Sequence, residues 1–169
     1  ILNGGPLIGP DVVSVARKGL TVSIGEEAIK RMSSSRSTVE KGAASTNPTY
    51  GINTGFGALS TTSISKDELD QLQMNLLRSH AAGVGDPLPQ DVVRGMMVIL
   101  AGSLCRGFSG VRPEVAELLV STLNANVTPV IPSRGSVGAS GDLAPLSHLA
   151  LVLCGEGKAT LGDKDMPGK

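Results

Sequence analysis

The sequence predicts a mainly α protein, and three observations carry that prediction. Apolar residues return at helical spacing through successive segments. Proline and glycine gather between those segments, where helices begin and end. No stretch sustains apolar–polar alternation, and no tandem repeat is visible. At 169 residues, 40% of them apolar, the chain is long enough for a single domain that buries about 70% of its unfolded surface.

Taken in order, Gly9-Pro10 followed by Val12, Val13, Ala16 and Leu20 reads as a first helix with proline in its permitted first turn. Ser23 and Glu26 have capping-box spacing for a second, shorter helix carrying Ile29 and Met32. The small, polar stretches 33–38 and 42–49 read as loop. Ser65 with Glu68 repeats the capping-box spacing ahead of Leu69, Leu72, Leu76 and Leu77, and Gly83 is the expected stop for that helix. Pro87 and Pro89 mark a turn. From Asp91 to about Arg106 the chain is apolar on nearly every side, as a central buried helix requires. Pro113 opens a helix with Val115, Leu118, Leu119 and Leu123 on one side. A proline- and glycine-rich loop follows Asn126. Asp142 then caps a last helix that tolerates Pro145 in its first turn and ends at Gly155.

Composition excludes several functions. Fifteen basic residues balance fifteen acidic ones, with no basic block and almost no aromatics, so neither nucleic acid nor an anionic membrane has an electrostatic handle. The longest apolar runs fall far short of the roughly 20 residues that span a bilayer. Cys105 and Cys154 lie in apolar helical patterns without metal-ligand spacing. As buried free thiols they imply a reducing, cytoplasmic setting, and a single disulfide between them is the other option. No His, Cys, Asp and Glu grouping is spaced to bind a metal. The chain starts Ile1-Leu2-Asn3 and stops in a polar, glycine-bearing tail, which suggests a piece of something longer.

The most informative stretch is residues 135–142. In Ala139-Ser140-Gly141 the glycine amide can fold back onto the alanine carbonyl, a geometry that glycine tolerates because it lacks a Cβ. Loss of water from that ring, with dehydration of Ser140, would leave a methylidene-imidazolone, an electrophile that no ordinary side chain supplies. Asp142 would support the loop by accepting backbone N–H bonds, and the amino end of the following helix would favour charge developing on the ring oxygen. The plain alternative is a glycine loop entering a capped helix. A nucleophile elbow would need glycine two residues after Ser140, where Asp142 stands. A phosphate-binding loop would need a lysine that is not there.

A second cluster is Tyr50-Gly51-Ile52-Asn53-Thr54-Gly55-Phe56-Gly57, which holds two of the three aromatic residues. Tyr50 is the only tyrosine, carried among glycines, where functional residues concentrate. Its hydroxyl can donate or accept a proton; equally, Tyr50 and Phe56 can fold over a small apolar cluster. The two histidines differ in setting. His80 ends a helix, where it can meet the helix dipole or a polar substrate ring. His148 sits in the apolar face of the last helix and reads as a buried, hydrogen-bonded core residue.

Residues 50–57, the run Asn75-Leu76-Leu77-Arg78-Ser79-His80-Ala81-Ala82-Gly83-Val84-Gly85, the segment Gly107-Phe108-Ser109-Gly110-Val111-Arg112, and residues 135–149 resemble the histidine ammonia-lyase (histidase) family, in order and approximate spacing. The resemblance runs from about Leu2 to Thr160 and implies the helical N-terminal portion of an ammonia-lyase-type helical bundle, with glycine-rich active-site loops. It implies a methylidene-imidazolone made by the chain itself from Ala139, Ser140 and Gly141, with no external organic cofactor and no metal. It further implies Tyr50 in acid–base work, His80 and Ser79 at the substrate, and Asp142 and Gly57 supporting the loops. The reaction so implied eliminates ammonia from L-histidine, a small amino acid, to give trans-urocanate.

Relatives acting on phenylalanine or tyrosine typically carry Phe-Leu or His-Leu where this chain has Ser79-His80, and an imidazole substrate needs polar partners. The same chemistry on phenylalanine or tyrosine, including an aminomutase, is the near alternative. A serine hydrolase using Ser140 with Asp142 and a histidine, and a noncatalytic helical domain, are more distant ones. Two positions depart from the family: Leu100 and Gly102 stand where Arg and Asn are common, which puts local packing in question. Family members are several times longer and assemble as homotetramers that share sites between subunits. Residues 1–169 would then be one N-terminal portion, bearing the prosthetic-group loop at 135–142.

Overall fold

The computed structural model describes residues 1–55, 66–136, 143–162 and 164–168. Within them the chain forms six helices: α1 (Gly9–Lys18), α2 (Glu26–Ala43), α3 (Lys66–His80), α4 (Gln90–Leu104), α5 (Pro113–Asn124) and α6 (Leu143–Leu153). The mainly α expectation holds. Five short strands accompany them. β1 (Val84–Pro87) pairs antiparallel with β3 (Pro132–Arg134), while β2 (Val127–Pro129), β4 (Lys158–Leu161) and β5 (Lys164–Pro167) form an antiparallel sheet in the order β2-β4-β5. Strands of three or four residues are too short to register as alternation, and prolines in four of them sit where a strand can spare an N–H.

Local chemistry explains the other departures. α1 stops at Lys18 because Gly19 turns left-handed, so Leu20 lies beyond the helix and is exposed. The second helix is the largest surprise, since it continues through residues 33–38 to Ala43. Its hydroxyl residues do not compete with the helix: Ser33 and Thr38 donate to the carbonyls of Ile29 and Ser34 one turn back. Arg36 and Glu40 add an ion pair at helical spacing, at 2.9 Å. Its outer half is also covered. The backbone N–H of Gly110 donates to Ser35 Oγ at 3.0 Å, and a Cβ on Gly110 would fall 2.2 Å from Val39 Cγ2. The predicted capping box at its start is absent, since the N-cap is Gly25 and no side chain caps it. Ser65, of the other capping box, lies outside the described residues.

α4 is the central helix, as its composition predicts. It buries Val93, Met97, Val98 and Ala101 against Val15 of α1, Leu119 and Leu123 of α5, Leu149 of α6, and Leu2, Val22 and Ile131 from the connections. The N-terminal segment joins this core through a parallel bridge between Leu2 and Ile24. The Asn124 side chain pairs with both backbone groups of Val22, at 2.8 and 2.9 Å. The two unusual positions on α4 have packing reasons. Gly102 leaves room for Leu7, whose Cδ1 would lie 2.7 Å from an added Cβ, and Leu100 is half-buried beside the core. Cys105 is buried, and burial pushes its thiol above the ordinary value, against a smaller lowering from Arg31. Cys154 is exposed, contrary to expectation, because α6 ends one residue earlier; both thiols are free. No helix among the described residues is long and apolar enough to cross a membrane.

One polar residue breaks the apolar surface of α4. Arg94 is only 8% exposed. Its guanidinium donates to the carbonyls of Val15 and Ala16, in the last turn of α1, at 3.1 and 3.2 Å, and to that of Leu123 near the end of α5, at 3.0 Å. Carbonyls at helix ends have no partner within their own helix. Burial lowers the Arg94 pKa from its ordinary value, yet a guanidinium stays charged in proteins. Replacing it with methionine would remove the donor to the Val15 and Ala16 carbonyls and leave that of Leu123 with the Asn126 N–H alone, so Arg94→Met is expected to lower unfolding stability by about 2–4 kcal/mol. Arg94→Lys should recover part of the loss, because one ammonium cannot span both helix ends. Urea unfolding of the two variants checks both.

Candidate active site

The connection between β3 and α6 that carries Ala139, Ser140, Gly141 and Asp142 lies outside the described residues, but its two anchors do not. Before it, Gly135 is set so tightly that an added Cβ would be 3.0 Å from Gly83 Cα and 3.1 Å from Ala144 Cβ. After it, Ala144 is buried in the first turn of α6. The segment therefore leaves and re-enters the fold at one packed point, against the chain that follows α3. The amide groups of the first α6 turn lie beside it, where backbone N–H groups have no partner within the helix.

Gly83 belongs to the same junction. α3 ends at His80, within the 79–83 stretch where its end is expected. Gly83 is needed for close approach: a Cβ there would stand 3.0 Å from His148 Nε2 and 3.2 Å from Pro132 Cβ. Its N–H donates to His148 Nε2 at 3.1 Å. His148 is thus half-buried and hydrogen-bonded, less enclosed than predicted. Because Nε2 accepts, the ring proton belongs on Nδ1.

Ser79 and His80 are brought together at the end of α3. Ser79 Oγ donates to the Leu76 carbonyl at 2.9 Å, and His80 Nδ1 meets the same carbonyl at 2.9 Å and Ser79 Oγ at 3.1 Å. A carbonyl can only accept, so His80 Nδ1 carries a proton, and in the neutral ring this leaves Nε2 as an acceptor. His80 also lines a cavity of about 360 Å³ between α3, α4, α5 and α6 whose other walls are almost wholly aliphatic, among them Leu76, Leu100, Leu119 and Leu146. That wall carries no cation to receive an amino acid's carboxylate. Arg78, one residue before Ser79, is instead engaged by Glu156 at 2.5 and 3.0 Å, which holds its guanidinium above its ordinary pKa and ties α3 to the segment after α6.

Tyr50 stands elsewhere, in the turn after α2, and is 64% exposed, so it is not packed into an apolar cluster. It is not among the residues lining the His80 cavity. Gly51 takes a positive φ of 74°, and the turn is held from beneath by buried Asn53 and Thr54. Phe56 and Gly57 lie outside the described residues. Sequence reasoning missed Asn53 and the Gly83–His148 contact. The first had a signal, since asparagine side chains bond their own local backbone in turns. The second joins residues 65 apart and had none. No group of three or more His, Cys, Asp or Glu side chains among the described residues is placed to hold a metal.

The His148 contact has a pH consequence. Burial pushes its imidazole below the ordinary value of 6.5, and protonation would turn Nε2 from acceptor to donor facing the Gly83 N–H. The folded state therefore favours the neutral ring. This contribution is complete above pH about 6.5 and is lost as pH falls through the lowered value. The urea midpoint should drop across that window more in the wild type than in His148→Gln, which cannot titrate there. Parallel pH profiles for the two proteins would remove this role for His148.

Comparison with known proteins fits this arrangement. The aromatic amino acid lyase family matches residues 8–169. Histidine ammonia-lyase of Treponema denticola is 50% identical over 168 residues, covering 99% of this chain and 33% of that protein. The structure of histidine ammonia-lyase from Trypanosoma cruzi superposes with a TM-score of 0.87 at 39% identity, over 99% of this chain and 32% of that one. Tyrosine aminomutase from Streptomyces globisporus superposes with a TM-score of 0.89 at 36% identity, over 99% and 31%. The chain thus spans about a third of the length of these relatives. With the match running from Ile8 to the last residue, and the helical frame reproduced around the root of the 137–142 segment, the chain belongs to the aromatic amino acid lyase family.

Proposed function

We propose that this chain is part of an ammonia-lyase that converts L-histidine into trans-urocanate and ammonia. The observation that carries the substrate assignment is the Ser79-His80 pair, in which the Leu76 carbonyl holds the Nδ1 proton and leaves Nε2 as a hydrogen-bond acceptor. An acceptor fits the N–H of a substrate imidazole and has nothing to bond on a phenyl ring, which argues against phenylalanine. A tyrosine phenol would also donate to it, so the choice against tyrosine rests on sequence similarity. The identity to histidine ammonia-lyase of Treponema denticola supports the same substrate. The superposition on a tyrosine aminomutase means that the shared fold does not by itself choose the substrate.

The anchors of the 137–142 segment fit a methylidene-imidazolone built from Ala139, Ser140 and Gly141. Its ends meet at the Gly135–Ala144 contact, and it leads into the amino end of α6, where the helix dipole favours a developing negative charge. The group would supply an electrophile that makes the substrate's ammonia a better leaving group. The chain's own residues do the rest. In this reading Asp142 and Gly57 support the two loops that carry Ser140 and Tyr50. His80 orients the imidazole through Nε2, with Ser79 beside it. Tyr50 receives the proton from the substrate Cβ as the Cα–N bond breaks and ammonia leaves. The described walls lack a receptor for the substrate carboxylate, so further groups complete the site, in keeping with a homotetramer of longer chains. A free, buried Cys105 suits a reducing, cytoplasmic setting.

In the complete protein, urocanate should appear from L-histidine and far more slowly, or not at all, from phenylalanine and tyrosine. Peptide mapping should find the 139–141 segment lighter by the waters lost in cyclisation and dehydration. Ser140→Ala should abolish both the mass change and ammonia release, and Tyr50→Phe should slow turnover by about 10²–10⁴-fold. Undiminished ammonia release from Ser140→Ala would overturn the mechanism, and a preference for tyrosine would overturn the substrate.

A further inference from the structure

We infer that Asn53 is the positioning residue for Tyr50, fixing the backbone turn that presents its phenol. This rests on the acid–base reading of Tyr50 given above. Asn53 is 5% exposed, and every polar atom of its side chain is engaged. Its Oδ1 accepts the Thr49 N–H at 2.7 Å. Its Nδ2 donates among the carbonyls of Ser45, Asn47 and Gly42 at 3.0, 3.1 and 3.3 Å. The amide's orientation follows from chemistry, because a backbone N–H only donates and carbonyls only accept.

These bonds enclose Tyr50. Thr49, the residue before it, gives its N–H to the Asn53 side chain and receives on its carbonyl the N–H groups of Ile52 and Asn53, at 3.0 and 3.2 Å. Tyr50 and Gly51 thus occupy a closed turn clamped at both ends. The other half of the Asn53 amide ties that turn to the last turn of α2 and the loop beyond it. The adjoining Thr54 is 1% exposed, its hydroxyl donating to the Gly55 carbonyl at 3.0 Å. Buried Asn53 and Thr54 therefore form a floor beneath a tyrosine that is itself 64% exposed. Packing supplies only part of the constraint on such a ring, and the backbone turn fixes where its side chain begins. A displacement of about 1 Å at a reacting group can cost about 10²-fold in rate.

The test is a double-mutant cycle in the complete enzyme, with the 139–141 mass change measured in every variant. Asn53→Ala should lower kcat by about 10–100-fold with KM changed by less, while the mass change persists. It should cost little further once Tyr50 is phenylalanine, because a misplaced phenol no longer matters. An equal loss in the Tyr50→Phe background would overturn the inference, since Asn53 would then act on something else. Amide exchange at Thr49, Ile52 and Asn53 gives an independent reading. Faster exchange in Asn53→Ala supports the clamp, and unchanged exchange overturns it whatever the kinetics. Full activity of Tyr50→Phe would instead end the acid–base role of Tyr50, and with it the catalytic purpose of the clamp, leaving exchange to report the turn alone. If Asn53→Ala does not fold, Asn53→Asp carries the same cycle, keeping the acceptor for Thr49 and losing the donors.

Discussion

The guanidinium of Arg94 holds the place where three helices meet. α1 and α5 both run their carboxyl ends towards the middle of α4, and such ends expose carbonyls that need donors. Arg94 supplies them from α4, which packs against both. No carboxylate is among these partners, so the site is a charge held by backbone dipoles, the arrangement in which a cation at a helix carboxyl end is favourable. Around it the apolar faces of α1, α4 and α5 close into the core, and α6 packs against that core through Leu149. The position of α6 then decides where the 137–142 segment re-enters the fold. An interaction far from the chemistry thus sets the frame for it.

At the root of that segment the constraint changes from electrostatic to steric. Gly83, Gly135, Ala144 and Pro132 approach so closely that there is no room for another Cβ, and the Gly83 N–H adds a directional contact to His148. Glycine here answers to space rather than to backbone angles. A junction of this kind suits a loop that must present backbone atoms in one geometry, because packed glycines cannot relax by turning a side chain aside. It also joins both halves of the candidate site, since α3 carries Ser79 and His80 just before Gly83.

Much of this was legible in the sequence, and the exceptions have physical causes. The central α4, the Pro113 start of α5 and the extent of α6 follow from hydrophobic period and from proline and glycine at the ends. The motifs on which the proposed chemistry rests can be read directly because they are contiguous. The outer half of α2 was hidden because serine and threonine oppose helices on average, whereas Ser33 and Thr38 here bond back into the helix and Ser35 receives Gly110. The strands were hidden by their length. Arg94 passed unnoticed in an apolar helix because its partners are carbonyls, which leave no mark in a sequence as an acidic partner would. The exposure of Cys154 turned on a helix ending one residue earlier, a boundary that patterns locate poorly.

Arg94 and Asn53 apply one device at two scales. Each is a multivalent side chain that donates to several backbone carbonyls at once, the first where helices converge and the second where a loop folds on itself. Because the partners are main-chain atoms, the hold survives changes in neighbouring side chains, provided the backbone path is kept. It is also directional, which apolar packing is not. That distinction matters most in the Tyr50 segment, where the tyrosine is exposed and the buried surface lies beneath it. A loop with few apolar contacts ordinarily opens at low cost. Concentrating its hydrogen bonds on one buried amide lets a largely polar loop hold one shape while its tyrosine faces outward, as the proposed proton transfer from a bound substrate requires.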